Sequence, residues 1–226
     1  MSYVERGIPL TSTSQHDLVD SKETYNRRAP RERPELANPA TLGLFSFAST
    51  TFMLSLFNLQ TRAIHTPNVV VGMAIFCGGL AQLLAGMWEF PKGNMFGASA
   101  FTSYGAFWMS YATILLPGSG IVEAYKEVDE LTSALGIFLT AWTLVTFFFL
   151  LVTFSKSVAF ISLFGSLTLT FALLTAGMFL GSTGITKAGG TIGVITAFIA
   201  YYIGVAELMA AEPSPFLRLP LGKFSR

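Results

Sequence analysis

Three hydrogen-bonding side chains, Thr50, Thr51 and Asn58, recur at helical spacing with Phe47 and Leu54 inside an otherwise apolar stretch of this sequence. Within hydrocarbon such a line can replace part of the water around a polar solute; it can equally bond back to its own helix carbonyls and only fill space. Gln82 is a sharper signal. A buried amide without a partner costs on the order of a few kcal/mol, so it must meet another helix, water or a solute. It belongs to a stripe, Gly78, Gly79, Gln82, Ala85, Gly86 and Glu89, whose small residues allow helices to approach closely. Glu89 closes that apolar run, where a carboxylate can reach water as an interface anchor or take part in proton coupling.

Further on, Phe101, Tyr104, Trp108 and Tyr111 share a helical face, with Thr102 and Ser103 beside them. Such a stripe packs well, yet the Tyr104 ring could close a narrow passage and its hydroxyl could donate to a carboxylate. Phe164, Leu167, Phe171 and Leu174 form an apolar row next to Ser162, Ser166 and Thr170. Gly177 with Gly181, and Gly189 with Gly193, mark close helix contacts or protomer contacts. Glu207 is the other acid beside an apolar run, and no charged residue falls at the middle of any of these stretches. A path through them would be neutral and narrow.

Other chemistries find no support. His16 and His65 are not paired at metal-ligand spacing, Cys77 is the sole cysteine, and there is neither an HExxH motif nor a glycine-rich phosphate cradle. Catalysis, a metal and a cofactor are therefore not expected. A formal net charge of +1 argues against a nucleic-acid partner.

The elements that must carry these residues are membrane helices. Hydrophobic residues make up 52% of the chain and charged ones 12%, far from a soluble domain. Six stretches approach the roughly 20 apolar residues a spanning helix needs, at 42–60, 69–90, 95–116, 131–154, 158–180 and 189–209. The expectation is an all-α bundle over residues 38–212, preceded by a charged, disordered cytoplasmic tail at 1–37 and followed by a short cytoplasmic tail at 213–226. Ser12, Thr13 and Ser14 are potential phosphosites in the first tail. Lys and Arg concentrate in both tails and at Lys92 and Lys156, against Arg62, Lys126 and Lys187 on the opposite side, which predicts both termini in the cytoplasm.

The run Asn38-Pro39-Ala40-Thr41-Leu42-Gly43-Leu44, with Phe47, resembles the NPAPLGL signature of the acetate uptake transporter family, which includes bacterial succinate–acetate permeases and fungal acetate and ammonia-export proteins. A second block agrees, from Gly78-Gly79-Leu80-Ala81-Gln82 through Glu89 and Lys92-Gly93-Asn94 to Ala100-Phe101-Thr102-Ser103-Tyr104-Gly105. Shorter echoes occur at Ser166-Leu167-Thr168, Ala206-Glu207 and Leu219-Pro220-Leu221-Gly222. The resemblance implies a six-helix protomer in a plasma-membrane homo-hexamer, each protomer passing acetate and related small monocarboxylates, in some members succinate, with a proton. It also implies a hydrophobic constriction of Phe47, Tyr104 and Leu167, with Asn38 at the cytoplasmic mouth. Thr41 departs from the signature's second Pro; a Thr there can serve as an N-cap.

The combined expectation is an acetate transporter or channel. Its path would be served by Asn38, Thr50, Thr51, Asn58, Gln82, Thr102, Ser103, Ser166 and Thr168, with Glu89 and Glu207 as proton or interface carboxylates. Two alternatives stay open: an ammonia or ammonium exporter, and an acetate sensor signalling through its N-terminal tail.

Overall fold

The computed structural model describes residues 36–224, so the proposed phosphosites and most of the N-terminal tail lie outside the described residues. Six long helices follow one another: α1 Ala40–Asn58, α2 Val70–Lys92, α3 Met95–Leu115, α4 Val128–Thr153, α5 Val158–Phe179 and α6 Thr183–Ala211. Among the described residues the only β feature is an isolated bridge between Ser157 and Lys223. Five of the helices are long and apolar enough to cross a membrane, and α3 is not one of them. Its Gly, Ser, Thr and Tyr residues dilute its apolarity, although its 21 residues give it the length.

The helix ends follow local chemistry. Asn38 Oδ1 accepts from the Ala40 N–H at 3.2 Å and so serves the start of α1, while the Thr41 hydroxyl turns back to the Asn38 carbonyl. Thr41 therefore lies inside the first turn and is not the N-cap expected of it. Asn94, Ser157 and Ser182 cap α3, α5 and α6 by accepting from the N–H three residues on. Two helices begin earlier than the apolar count suggests: α4 takes in Asp129 and Glu130, which suit a helix N-terminus, and α6 starts at its Ser182 cap rather than at Gly189.

Within α2 the stretch Met73–Ala81 is π-helical, and the Gln82 N–H reaches back to Cys77. This wider winding sets the phase of everything after it. It still leaves Gly78, Gly79, Gln82, Ala85, Gly86 and Glu89 all buried, the stripe expected from the sequence. A Cβ on Gly78 would lie 2.7 Å from Thr50 Oγ1 and 2.8 Å from Trp108, so glycine is what lets α1, α2 and α3 meet there.

Helix α2 packs on α3 and α1, α1 on α6, α6 on α5, and α5 on α4. Helices α3 and α4 approach each other through large side chains, with Tyr104 and Phe107 of α3 against Trp142 of α4 at ring-centroid separations of 6.1 and 5.0 Å. The bundle is thus a ring of helices, and its interior is where the expected path should run.

Candidate functional site: a path in three cavities

Three cavities lie in series along the bundle. The first, about 370 Å³, opens at the end that carries Asn38, Lys92, Asn94, Lys156, Glu207 and Lys223, and it runs inward past Gln82 and Phe96. The second, about 70 Å³, is lined by Thr51, Leu54, Ser55, Asn58, Trp108, Tyr111, Phe171 and others, none of them charged. A third, about 300 Å³, opens at the opposite end beside His65, Thr132 and Ser182, and shares Asn58 and Met178 with the second.

The first and second cavities share three residues, and these are Phe47, Tyr104 and Leu167. They are 6%, 3% and 3% exposed, and the Phe47 and Tyr104 rings are 5.7 Å apart. The sequence supplies them from three helices, α1, α3 and α5. Tyr104 is held on all sides, tilted against Trp142, Phe149 and Phe164, with its hydroxyl 3.0 Å from Thr146 Oγ1. Thr146 in turn donates to the Trp142 carbonyl at 2.7 Å, so it is left to accept from Tyr104.

At the open end Asn38 is a junction. Its Oδ1 accepts from Lys92 Nζ at 2.7 Å, and its Nδ2 donates to Glu207 Oε2 at 3.1 Å. Lys156 stands over the Phe96 ring, 4.4 Å from its centroid. Deeper in, Gln82 is 1% exposed and its Oε1 has no hydrogen-bond partner among the described residues. The same holds for Thr51 Oγ1 and Trp108 Nε1 in residues lining the second cavity. Buried polar atoms are rarely left unpaired; of these three residues Gln82 lines the first cavity and Thr51 and Trp108 the second.

Several residues expected on the path are not brought to it. Thr50 donates to the Ser46 carbonyl at 2.9 Å and packs against Gly78. Ser166 and Thr168 bond back to Leu163 and Phe164 within their own helix. Thr102 abuts Gly86 at the α2–α3 contact, and neither it nor Ser103 lines any of these three cavities. Glu89 also departs from expectation. It is 0% exposed rather than in reach of water, both of its oxygens lack a partner among the described residues, and it packs against Gly97 in the α2–α3 hairpin. The Gly97 and Asn94 beside it face the first cavity, so Glu89 lies behind the cavity wall.

Other lining residues were missed. Lys156, Ser157, Lys223 and Phe224 join the mouth because the α4–α5 link and the C-terminal segment meet there. A hydropathy pattern places such residues at helix ends without showing that they converge. Thr146, the partner of Tyr104, had no distinguishing spacing on α4.

A polytopic helical bundle with cavities in series along its interior has the architecture of a membrane channel or transporter protomer. The chain belongs to the GPR1/FUN34/yaaH family, whose defining pattern matches residues 22–225. It is 46% identical over 187 residues to "Ammonia transport outward protein 2" of Saccharomyces cerevisiae, covering 82% of this chain and 66% of that one. It is 39% identical over 190 residues to "Succinate-acetate/proton symporter SatP" of Escherichia coli, covering 84% of this chain and 97% of that protein. The solved structure of the bacterial acetate channel SatP superposes with a TM-score of 0.74 at 39% identity, over 83% of this chain and 99% of that one.

Proposed function

We propose that the protein moves acetate and related small carboxylates across a membrane, one path per protomer, closed at its narrowest point by Phe47, Tyr104 and Leu167. The observation that carries this reading is that these three residues, and no others, line both the mouth cavity and the inner cavity. The likeness to a succinate–acetate/proton symporter and to an acetate channel supports the substrate class.

The chemistry of the path agrees with it. Lysines at the mouth attract an anion, and the uncharged inner cavity demands that the charge be neutralised or replaced by hydrogen bonds, because an unpaired ion in an apolar interior costs several kcal/mol or more. Gln82, Thr51 and Trp108 offer unpaired groups for that purpose. Glu89, buried one layer behind the mouth with both oxygens unpaired among the described residues, is assigned proton exchange with the path, and Glu207 holds Asn38 at the mouth. On this reading α3 is the sixth span, the two termini and the mouth face the cytoplasm, the membrane is the plasma membrane, and the protomers assemble as a homo-hexamer. Residues 1–37 and 213–226 are then cytoplasmic tails flanking a single transmembrane domain.

Ammonia or ammonium export is the second reading, favoured by the likeness to an ammonia transport protein. An ammonium path would use carboxylates or carbonyl rings, and the inner cavity has no acidic residue. Measuring acetate and ammonium flux in the same proteoliposomes, with and without an imposed pH gradient, decides. Acetate uptake raised by an inward proton gradient supports the first reading; ammonium flux without acetate flux overturns it.

A further inference from the structure

The C-terminal segment should be a loose tail by composition: Pro213, Pro215 and Pro220 break any helix beyond Ala211, and Arg218 and Lys223 are cationic. The structure shows a built strap instead. Val158 and Ala159 donate their N–H groups to the carbonyls of Gly222 and Leu221 at 3.0 and 3.2 Å, and Phe224 N–H reaches the Lys156 carbonyl at 3.5 Å. Tyr202 of α6 donates to the Pro220 carbonyl at 2.7 Å, and Leu221 is buried in the core.

This strap completes the start of α5. A helix leaves its first N–H groups without intrahelical partners; here two of them go to the strap and a third, that of Phe160, goes to Ser157 Oγ. Gly222 is required twice over, since its φ is +62° and a Cβ would lie 3.0 Å from that of Val158. Fixing 219–222 in this way delivers the next two residues, Lys223 and Phe224, to the wall of the mouth cavity.

The mouth then carries Lys92, Lys156 and Lys223 against Glu207 as its one acid among the described lining residues. Lys92 is engaged by Asn38 and Lys156 by the Phe96 ring. Lys223 forms neither a side-chain hydrogen bond nor an ion pair among the described residues.

We propose that residues 219–224 are a working part of the path, a strap that holds Lys223 at the mouth to collect small carboxylate anions ahead of the constriction. This rests on the carboxylate reading above. The hydrogen bonds that flank Lys223 in the strap run from backbone to backbone, so side-chain substitution there leaves them intact.

The test is radiolabelled acetate uptake by the full chain in proteoliposomes, comparing wild type, Lys223→Glu and Lys223→Arg at low and high salt. Lys223→Glu should raise the half-saturating acetate concentration at low salt by about threefold or more, with the maximal rate kept, because a rim charge acts on encounter rather than on later steps. The shift should shrink as salt screens the mouth, and Lys223→Arg should behave as wild type. An unchanged half-saturation in Lys223→Glu overturns the proposal, as does a shift that is independent of salt or not restored by Arg, which would mark the strap as purely structural. If the wild type passes no acetate, the carboxylate reading fails on its own. Acetate-induced thermal stabilisation in detergent then decides for the strap: a shift lost in Lys223→Glu and kept in Lys223→Arg upholds Lys223 as an anion contact, and none in any form ends the inference.

Discussion

The mouth cavity and the inner cavity lie on either side of the same three side chains and are built for different tasks. The mouth is about 370 Å³, lysine-bearing and partly organised by Asn38; the inner cavity is about 70 Å³, uncharged and walled by aromatic and aliphatic side chains. The difference teaches where the cost of moving a carboxylate falls. On the proposed reading, an anion meets cations and water at the mouth and loses both at Phe47, Tyr104 and Leu167. Beyond that point, selection is by size and by hydrogen bonding.

The most severe way to break this comparison is to fill the boundary itself. Leu167→Trp adds bulk where Leu167 faces both cavities, and acetate uptake should fall by roughly tenfold or more, overpacking of a tight site being poorly tolerated. Unchanged elution volume and melting temperature would show that the bundle persists.

Glu89→Gln addresses the mouth side. Both carboxyl oxygens lack partners among the described residues, so the amide should cost little stability. The stimulation of uptake by an inward proton gradient should drop about threefold or more if this buried carboxyl exchanges the proton. Uptake with and without the gradient measures it; unchanged stimulation would return Glu89 to a packing role.

Tyr104→Phe separates ring from hydroxyl. It removes the bond to Thr146, whose own hydroxyl remains bonded to Trp142, so the loss should be about 0.5–1.5 kcal/mol in thermal or denaturant unfolding, with the constriction kept in size. A large gain in succinate uptake from this variant would mean that the hydroxyl, not the ring, sets the boundary.

The smallest expected effects come from a pair of neighbours. Thr51 lines the inner cavity with a hydroxyl that has no partner among the described residues, while Thr50 is turned to Ser46 and Gly78. Thr51→Val should lower acetate flux by about twofold to threefold, the worth of one modest hydrogen bond. Thr50→Val should leave flux near wild type and cost only stability. Equal flux effects from both would blur the inner face of α1.

These neighbours also show how far the sequence could be read. Helical spacing grouped Phe47, Thr51, Leu54 and Asn58, and all four line cavities. It could not divide Thr50 from Thr51, because one step around a helix is smaller than the face such spacing resolves. The Gly78 to Glu89 stripe was legible as buried, yet position near the end of an apolar run suggested water at Glu89, whereas the α2–α3 hairpin encloses it. Leu167 stood out only through family resemblance, since an apolar row gives no ground for choosing one member. The Lys156–Lys223 side of the mouth was illegible: it depends on a backbone bridge between segments far apart in sequence.

The most direct test of the account is the ratio of succinate to acetate uptake in proteoliposomes bearing wild type or Phe47→Ala. Removing this ring should open the boundary between the two cavities, and the ratio should rise about fivefold or more, as bulkier carboxylates gain passage. An unchanged ratio and unchanged acetate uptake in correctly folded Phe47→Ala protein would contradict the claim that Phe47, Tyr104 and Leu167 close the path.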